Sequence, residues 1–261
     1  MITSIQNPRI KSIRDLLGSK KERDAAHLMV LEGVRLAEEA LKSGLAITQC
    51  LFSVNLSSRG SSMLEQIRAA GAQIEEVAPE LMDRISDTQH AQGILLVCSL
   101  PEAPLPQAPS FLLALDRISD PGNLGTILRA AAALGVQGVL LTPGTSDPFA
   151  PKALRAAMGA QLHLPMKWQD AQAIKETCAA AEKPLLLTAS LMDCPHDCWD
   201  MDLTQPICLV IGNEANGISP QLIALSDQCV RIPIAVQTES FNAAVAAAIL
   251  MYEIKRQRTM K

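Results

Sequence analysis

Apolar and polar residues recur along this chain at two spacings, and the changes of spacing predict its elements. Short apolar runs bounded by Gly, Pro or polar clusters read as strands, and longer segments with helical spacing read as amphipathic helices. In the C-terminal part the strand candidates are Phe111–Leu115, Gly138–Thr142, Pro184–Ala189, Ile207–Gly212 and Val230–Ile234, with Gln161–Leu164 weaker. Ile207-Cys208-Leu209-Val210-Ile211 is apolar without a break, the pattern of a strand covered on both faces in a parallel sheet. Helix candidates Asn123–Leu134, Pro151–Ala160, Ala171–Ala181, Ser219–Ser226 and Phe241–Arg258 fall between these runs. The last is apolar nearly all round, which predicts burial against sheet, partner subunit or both. In the N-terminal part, helices are expected at Arg9–Leu17, Val34–Ser43 and Ser61–Ala70, and strands at Leu28–Leu31, Ala46–Val54, Gln73–Val77 and Gly93–Ser99. Both parts therefore read as α/β.

Pro101 to Pro109 holds four prolines and cannot sit inside a helix or a central strand. It predicts a linker at 101–110 between a domain at 1–100 and another at 111–261. The chain of 261 residues is 48% hydrophobic but only 3% aromatic, so its cores are expected to be aliphatic and Ala-rich. The net charge of −4 argues weakly against nucleic acid as a partner. The positive charge is clustered, however. Arg9, Lys11, Arg14, Lys20, Lys21 and Arg23 lie together, and Lys255, Arg256, Arg258 and Lys261 end the chain. These read either as solvated faces or as two phosphate-contacting patches. Seven cysteines without framework spacing fit a reducing, cytoplasmic compartment better than secretion. The N-terminus does not resemble a signal peptide, and no apolar run reaches membrane-spanning length.

Three polar, Gly-rich turns follow apolar strands. The first is Asp116 to Arg129 and contains Asp120-Pro121-Gly122-Asn123-Leu124-Gly125. The second is Ile211-Gly212-Asn213-Glu214-Ala215-Asn216-Gly217-Ile218-Ser219, and the third runs from Ile232 through Glu239-Ser240-Phe241-Asn242. Each has an ordinary explanation as a helix cap or tight turn. Three of them at strand C-terminal ends predict one composite site at the edge of an α/β sheet. Arg129, on an otherwise apolar helix, is expected to need a partner or a water-lined cleft. The first turn matches neither G-x-G-x-x-G nor the Walker pattern, which argues against a nucleotide-binding oxidoreductase. Cys194-Pro195-His196-Asp197-Cys198 has a loose zinc spacing, but no second ligand pair follows it, so no metal is expected. No cysteine falls in any of the three turns, so a cysteine nucleophile is not expected either.

Together and in this order, the three turns resemble the signature motifs of the SpoU (TrmH-like) class of SPOUT RNA methyltransferases over most of residues 111–258. Val30-Leu31-Glu32-Gly33-Val34-Arg35 resembles the L30e-like substrate-binding domain often found before them. The resemblance implies a C-terminal sheet with a deep trefoil knot, preceded by the small L30e-like domain. It also implies S-adenosylmethionine as methyl donor, a ribose 2′-OH in RNA as acceptor, and a homodimer. Carried over by residue, it assigns chemistry to Asn123, Arg129, Glu214, Ser240 and Asn242. It places the cofactor at the backbone of Thr188, Ala189, Gly212, Ile232 and Phe241. Two positions depart from the pattern: Val236 stands where a Gly is usual, and Phe241 where a Leu is usual. An arginine stays protonated, so Arg129 reads better as an electrostatic clamp than as a base. The extra N-terminal domain favours ribosomal RNA over tRNA as substrate. A non-catalytic RNA-binding relative is the alternative of a different class.

Overall fold

The computed structural model of the chain describes residues 1–88, 91–235 and 240–260. In chain order the elements are α1 (Pro8–Gly18), α2 (Lys20–Ala26), β1 (Leu28–Glu32), α3 (Val34–Ser43), β2 (Ile47–Phe52), α4 (Ser58–Ala69), β3 (Gln73–Glu76), α5 (Pro79–Ile85) and β4 (Ile94–Ser99). They continue with β5 (Phe111–Asp116), α6 (Pro121–Leu134), β6 (Gly138–Leu141), α7 (Pro151–Ala157), β7 (Met166–Trp168), α8 (Ala171–Ala180), β8 (Leu186–Ser190), β9 (Ile207–Gly212), α9 (Pro220–Leu225), β10 (Gln228–Val230) and α10 (Ala243–Thr259). They gather into two units. One holds Met1–Pro101 with Asp147–His163, the other Glu102–Ser146 with Leu164–Lys261.

The first unit is built on a mixed sheet of order β1-β4-β2-β3. β4 pairs antiparallel with β1 and β2, and β2 pairs parallel with β3. Ile94 to Cys98 are all buried, because the sheet has a core on each side. Side chains alternate across a strand. Thus Leu96 and Cys98 join Met29, Ala37, Met63 and Leu154 in one core, while Leu95 and Val97 join Ile10, Ile13 and Met82 in the other.

Leu154 comes from the late segment 147–163, and an ion pair fixes that segment within the unit. Arg23 is 4% exposed, and its Nε donates to Asp147 Oδ2 at 2.8 Å. Its Nη1 donates to the Leu16 and Leu17 carbonyls near the end of α1. Arg23 therefore does not belong to a phosphate-contacting patch. Arg9 pairs with Glu75 and Lys20 with Asp24, so three of the six cations of the N-terminal cluster are held in ion pairs within the chain.

In the second unit the strand order is β10-β8-β9-β5-β6-β7, and every neighbouring pair is parallel. All strand C-termini therefore lie along one edge. The register sets Asp116, at the end of β5, opposite Gly212, at the end of β9. The first and second turns start side by side for that reason.

Several expectations need correction. The strand expected at Val230–Ile234 ends at Val230, and Ile232 to Ile234 are half-buried outside the sheet. The segment expected as a weak strand at Gln161–Leu164 is mostly a 3-10 turn at Ala160–Leu162, and the edge strand is β7 instead. α10 buries one face, Ala243, Ala244, Ala247, Leu250, Met251 and Ile254, and packs against α6. Its other face exposes Val245 and Tyr252, so the helix is not covered all round within the chain. Arg258 is structural: its Nη2 donates to the Ser110 and Gln205 carbonyls at 2.9 and 2.6 Å, and its guanidinium lies 5.1 Å from the Phe111 ring centre. Burial lowers its pKa from the ordinary arginine value. The cysteines also hold a pairing that their spacing did not suggest. Cys194 and Cys229, 35 positions apart, form a disulfide. Among the described residues, no helix is long and apolar enough to cross a membrane.

Candidate active site

The first turn leaves β5 through Arg117, whose φ of 57° is left-handed. Its N–H donates to Thr142 Oγ1 at 3.0 Å, and its carbonyl accepts from Asn213 Nδ2 at 2.7 Å. Asp116, 2% exposed, accepts from Thr142 Oγ1 at 2.9 Å and from the Ser219 N–H at 2.6 Å. This buried carboxylate ties the first turn to the far end of the second. Asp120 then caps α6 by accepting from the Asn123 N–H at 2.8 Å, as an acidic N-cap does.

The second turn closes on itself: the Asn213 and Gly217 backbones exchange two hydrogen bonds of 3.0 Å. Asn213 Oδ1 accepts from the N–H groups of Ala215 and Asn216, both at 3.0 Å. A Cβ at position 212 would lie 2.4 Å from the Gly217 carbonyl carbon and the Ile218 nitrogen. The turn's own backbone therefore requires the glycine, and no ligand is needed to explain it.

The turns meet through their side chains. Glu214 Oε2 accepts from the Ser119 N–H at 3.2 Å and from Ser119 Oγ at 3.1 Å. Glu214 Oε1 accepts from Asn123 Nδ2 at 2.9 Å. Asn123 Oδ1 in turn accepts from Asn242 Nδ2 at 3.0 Å. Asn242 Oδ1 caps α10 through the N–H groups of Ala244 and Val245 at 2.9 and 3.3 Å. A relay Asn242–Asn123–Glu214 thus joins all three turns. Partial burial pushes the Glu214 carboxyl up, but hydrogen bonds from Asn123, from its own backbone N–H and from Ser119 outweigh this and hold its pKa below the ordinary value. A carboxylate so held is an acceptor at neutral pH and a weak base. Asn242→Ala removes the α10 cap and the link to Asn123. It is expected to lower stability by about 1 kcal/mol, read as a lower urea midpoint with an unchanged slope.

Beside the relay lies a cavity. Ser190, the last residue of β8, with Leu191 and Met192 forms one wall; Val230, the last residue of β10, with Arg231, Ile232 and Ile234 forms another; Ser240, Phe241, Ala246 and Leu250 complete it. Its volume of about 110 Å³ suits part of a ligand, because sites that enclose a whole one run to ~300–1,000 Å³. Among the described residues, the peptide groups of Ile232 to Ile234 have no backbone partner, since the chain has left the sheet ladder.

Of the expected site residues, Asn123, Glu214 and Asn242 are brought together, and Ser240, Ile232 and Phe241 line the cavity. Thr188 and Ala189 are buried in β8, at 0% and 1% exposure, and the cavity wall begins one residue later at Ser190. Gly212 is not among the cavity-lining residues. Arg129 is exposed on α6, with no hydrogen bond or ion pair among the described residues. Val236 and Glu239 lie outside the described residues. Ser119, Asn213 and Asp116 had no assigned role in the sequence reading. A short polar side chain just before a cap, and an Asn four residues before a glycine, were the available signals.

Residues 110–252 match the SpoU rRNA Methylase family, and residues 7–96 match the MRM3-like substrate binding domain. The 23S rRNA (guanosine(2553)-2′-O)-methyltransferase RlmP of Bacillus subtilis is 34% identical, over 97% of this chain and 98% of its own length. The 23S rRNA (uridine(2479)-2′-O)-methyltransferase of Streptomyces viridochromogenes is 33% identical, over 98% of this chain and 92% of its own. The crystal structure of the SpoU methyltransferase AviRb from Streptomyces viridochromogenes, in complex with AdoMet, superposes with a TM-score of 0.88 at 30% identity, covering 98% of this chain and all of that one. An AdoMet-bound rRNA methyltransferase from Sinorhizobium meliloti gives a TM-score of 0.86 at 31% identity, covering 98% and 97% of the two chains. With its parallel sheet, its three joined turns and these full-length likenesses, the chain belongs to the SpoU rRNA methylase family.

Proposed function

We propose that this protein transfers a methyl group from S-adenosylmethionine to a ribose 2′-OH of ribosomal RNA. The observation that carries this reading is the relay Asn242–Asn123–Glu214 beside the cavity lined by Ile232, Ser240 and Phe241. The cavity fits the methyl donor in kind. Leu191, Ile232, Phe241 and Leu250 offer apolar surface to a purine or thioether, and the peptide groups of Ile232 and Ile234, which have no backbone partner among the described residues, offer hydrogen bonds. When bound, S-adenosylmethionine supplies an electrophilic methyl group on a sulfonium. Asn123, Ser240 and Asn242 orient the ribose, and Glu214 fixes Asn123. Arg129 stabilises the RNA phosphate or the developing 2′-alkoxide. Thr188 and Ala189 precede the cavity wall in β8 and Gly212 ends the neighbouring strand β9; none of the three lines the cavity.

Ribosomal RNA is preferred to tRNA because the relatives named for 23S rRNA align along both units, the N-terminal one included. We place the protein in the cytoplasm, with the C-terminal part of the sheet domain threaded as a trefoil knot. We also propose a homodimer formed on the uncovered face of α10. Trp199 and Tyr252 are 60% and 61% exposed there and line an apolar groove with Ala248 and Ile249. Apolar surface of this kind marks a protein interface. Calorimetric titration with S-adenosylmethionine tests the cofactor reading: one site per chain is expected, weakened by Phe241→Ala. No heat of binding under any buffer condition contradicts it and favours the non-catalytic RNA-binding alternative.

A further inference from the structure

We propose that Cys194 and Cys229 are a redox-modification site that tunes the methyl-donor pocket through one of its walls. The inference rests on the reading of that cavity as the S-adenosylmethionine pocket. Cys194 lies two residues beyond Met192, and Cys229 immediately precedes Val230; both Met192 and Val230 line the cavity. The bridge therefore joins the loop after β8 to β10 at the point where both strands give way to pocket wall. Its Cα–Cα distance of 5.9 Å needs no backbone movement to form or open.

Other contacts on the same loop are weaker or further along. The Leu191 N–H donates to the Val230 carbonyl at 2.9 Å. Beyond the bridge, the Arg231 N–H donates to the His196 carbonyl at 3.0 Å, the Cys198 N–H donates to the Arg231 carbonyl at 2.9 Å, and Arg231 pairs with Asp197. Without the bridge, Met192 and Asp193 are anchored only at their two ends. Met192 is already 61% exposed and has little packing of its own. The wall it forms is the part of the pocket most dependent on the covalent tie.

The two cysteines differ in access, which gives the chemistry an order. Cys229 is half-buried and Cys194 is 2% exposed, and the other five cysteines are buried and unpaired. A low-molecular-weight disulfide such as oxidised glutathione is the oxidant. The Cys229 thiolate attacks one of its sulfurs and expels a glutathione thiolate, leaving a mixed disulfide. The Cys194 thiolate then attacks the Cys229 sulfur, forming the Cys194–Cys229 bond and expelling the second glutathione thiolate. Two cysteine thiols are oxidised, one glutathione disulfide becomes two thiols, and the two protons released are taken up by the two glutathione thiolates. Reduction by excess thiol runs the same steps backwards. A reducing compartment thus holds the open form, and oxidation closes it.

The test uses the full-length protein poised with reduced or oxidised glutathione. Alkylation in denaturant followed by peptide mass spectrometry reads the thiols, and calorimetry reads S-adenosylmethionine affinity. Cys194 and Cys229 are expected to lose alkylation together on oxidation, and the oxidised form is expected to bind at least about fivefold more tightly. The double variant Cys194→Ser/Cys229→Ser is expected to bind like the reduced wild type in both conditions. Affinity unchanged between the two wild-type forms, or no joint protection of the two cysteines, overturns this inference and leaves the cofactor reading intact. Absence of binding by both forms overturns the two together.

Discussion

An Arg129→Lys variant is expected to bind S-adenosylmethionine as the wild type does and to lose about 100-fold in single-turnover methylation. The charge is kept, so a general effect on RNA affinity is small. What is lost is the planar fork that can hold two oxygens at once, as a phosphate or an alkoxide beside a phosphate requires. Arg129 sits six residues along α6 from Asn123, about 9 Å along the helix axis and about 120° round it. It is exposed and has no hydrogen bond or ion pair among the described residues. No contact among the described residues is therefore broken by the change, and a loss of turnover with S-adenosylmethionine affinity kept reports on contact with RNA. Wild-type single-turnover rates in the variant would remove Arg129 from the site.

Asp147→Ala is expected to destabilise the first unit by about 3–5 kcal/mol, because it leaves a buried guanidinium without its counter-charge. The side chains of Arg23 and Asp147 are 5% and 10% exposed, so water can do little to replace the lost partner. Arg23 would keep only the Leu16 and Leu17 carbonyls. The loss should appear as an early urea transition of the first unit, with the second unit's transition unmoved. An Arg23→Met/Asp147→Leu double variant should recover most of the loss, since it removes the buried charge as well as its partner. A loss of under about 1 kcal/mol from Asp147→Ala would mean that the pair is solvated enough to behave like a surface ion pair.

These two cases mark where the sequence could and could not be read. The unbroken apolar runs of β5 and β9 carry the pattern of strands covered on both faces, and they sit at the centre of the parallel sheet. Glu214, Asn123 and Asn242 were legible because polar residues recur where apolar strands end. Their mutual contacts were not, since these depend on the Asp116–Gly212 register. The grouping of 147–163 with the first unit rests on Leu154 and Leu162 in its core and on an ion pair between residues 124 positions apart. No local pattern encodes a pair at that distance. Charge clustering misled for a related reason. Arg23 and Arg258 read as surface charge, yet both bond backbone carbonyls, Arg23 near the end of α1 and Arg258 in the segments just before β5 and β9, and composition does not say where a guanidinium points. The sequence places the cofactor at the Gly212 backbone but does not show that a Cβ there would meet Gly217 and Ile218, so that the turn itself requires the glycine. Ile232 to Ile234 read as the end of a strand because two isoleucines flank a proline. The ladder stops at Val230 instead, and Ile232 and Ile234 line the cavity.

The most direct test of the central claim is a map of 2′-O-methylated riboses in total RNA from cells with and without this gene. Loss of methylation at a specific ribosomal RNA ribose is expected in the deletion, with restoration by the wild-type copy and not by a Glu214→Ala copy. An unchanged ribosomal RNA map, or a loss confined to tRNA or to base methylation, would contradict it.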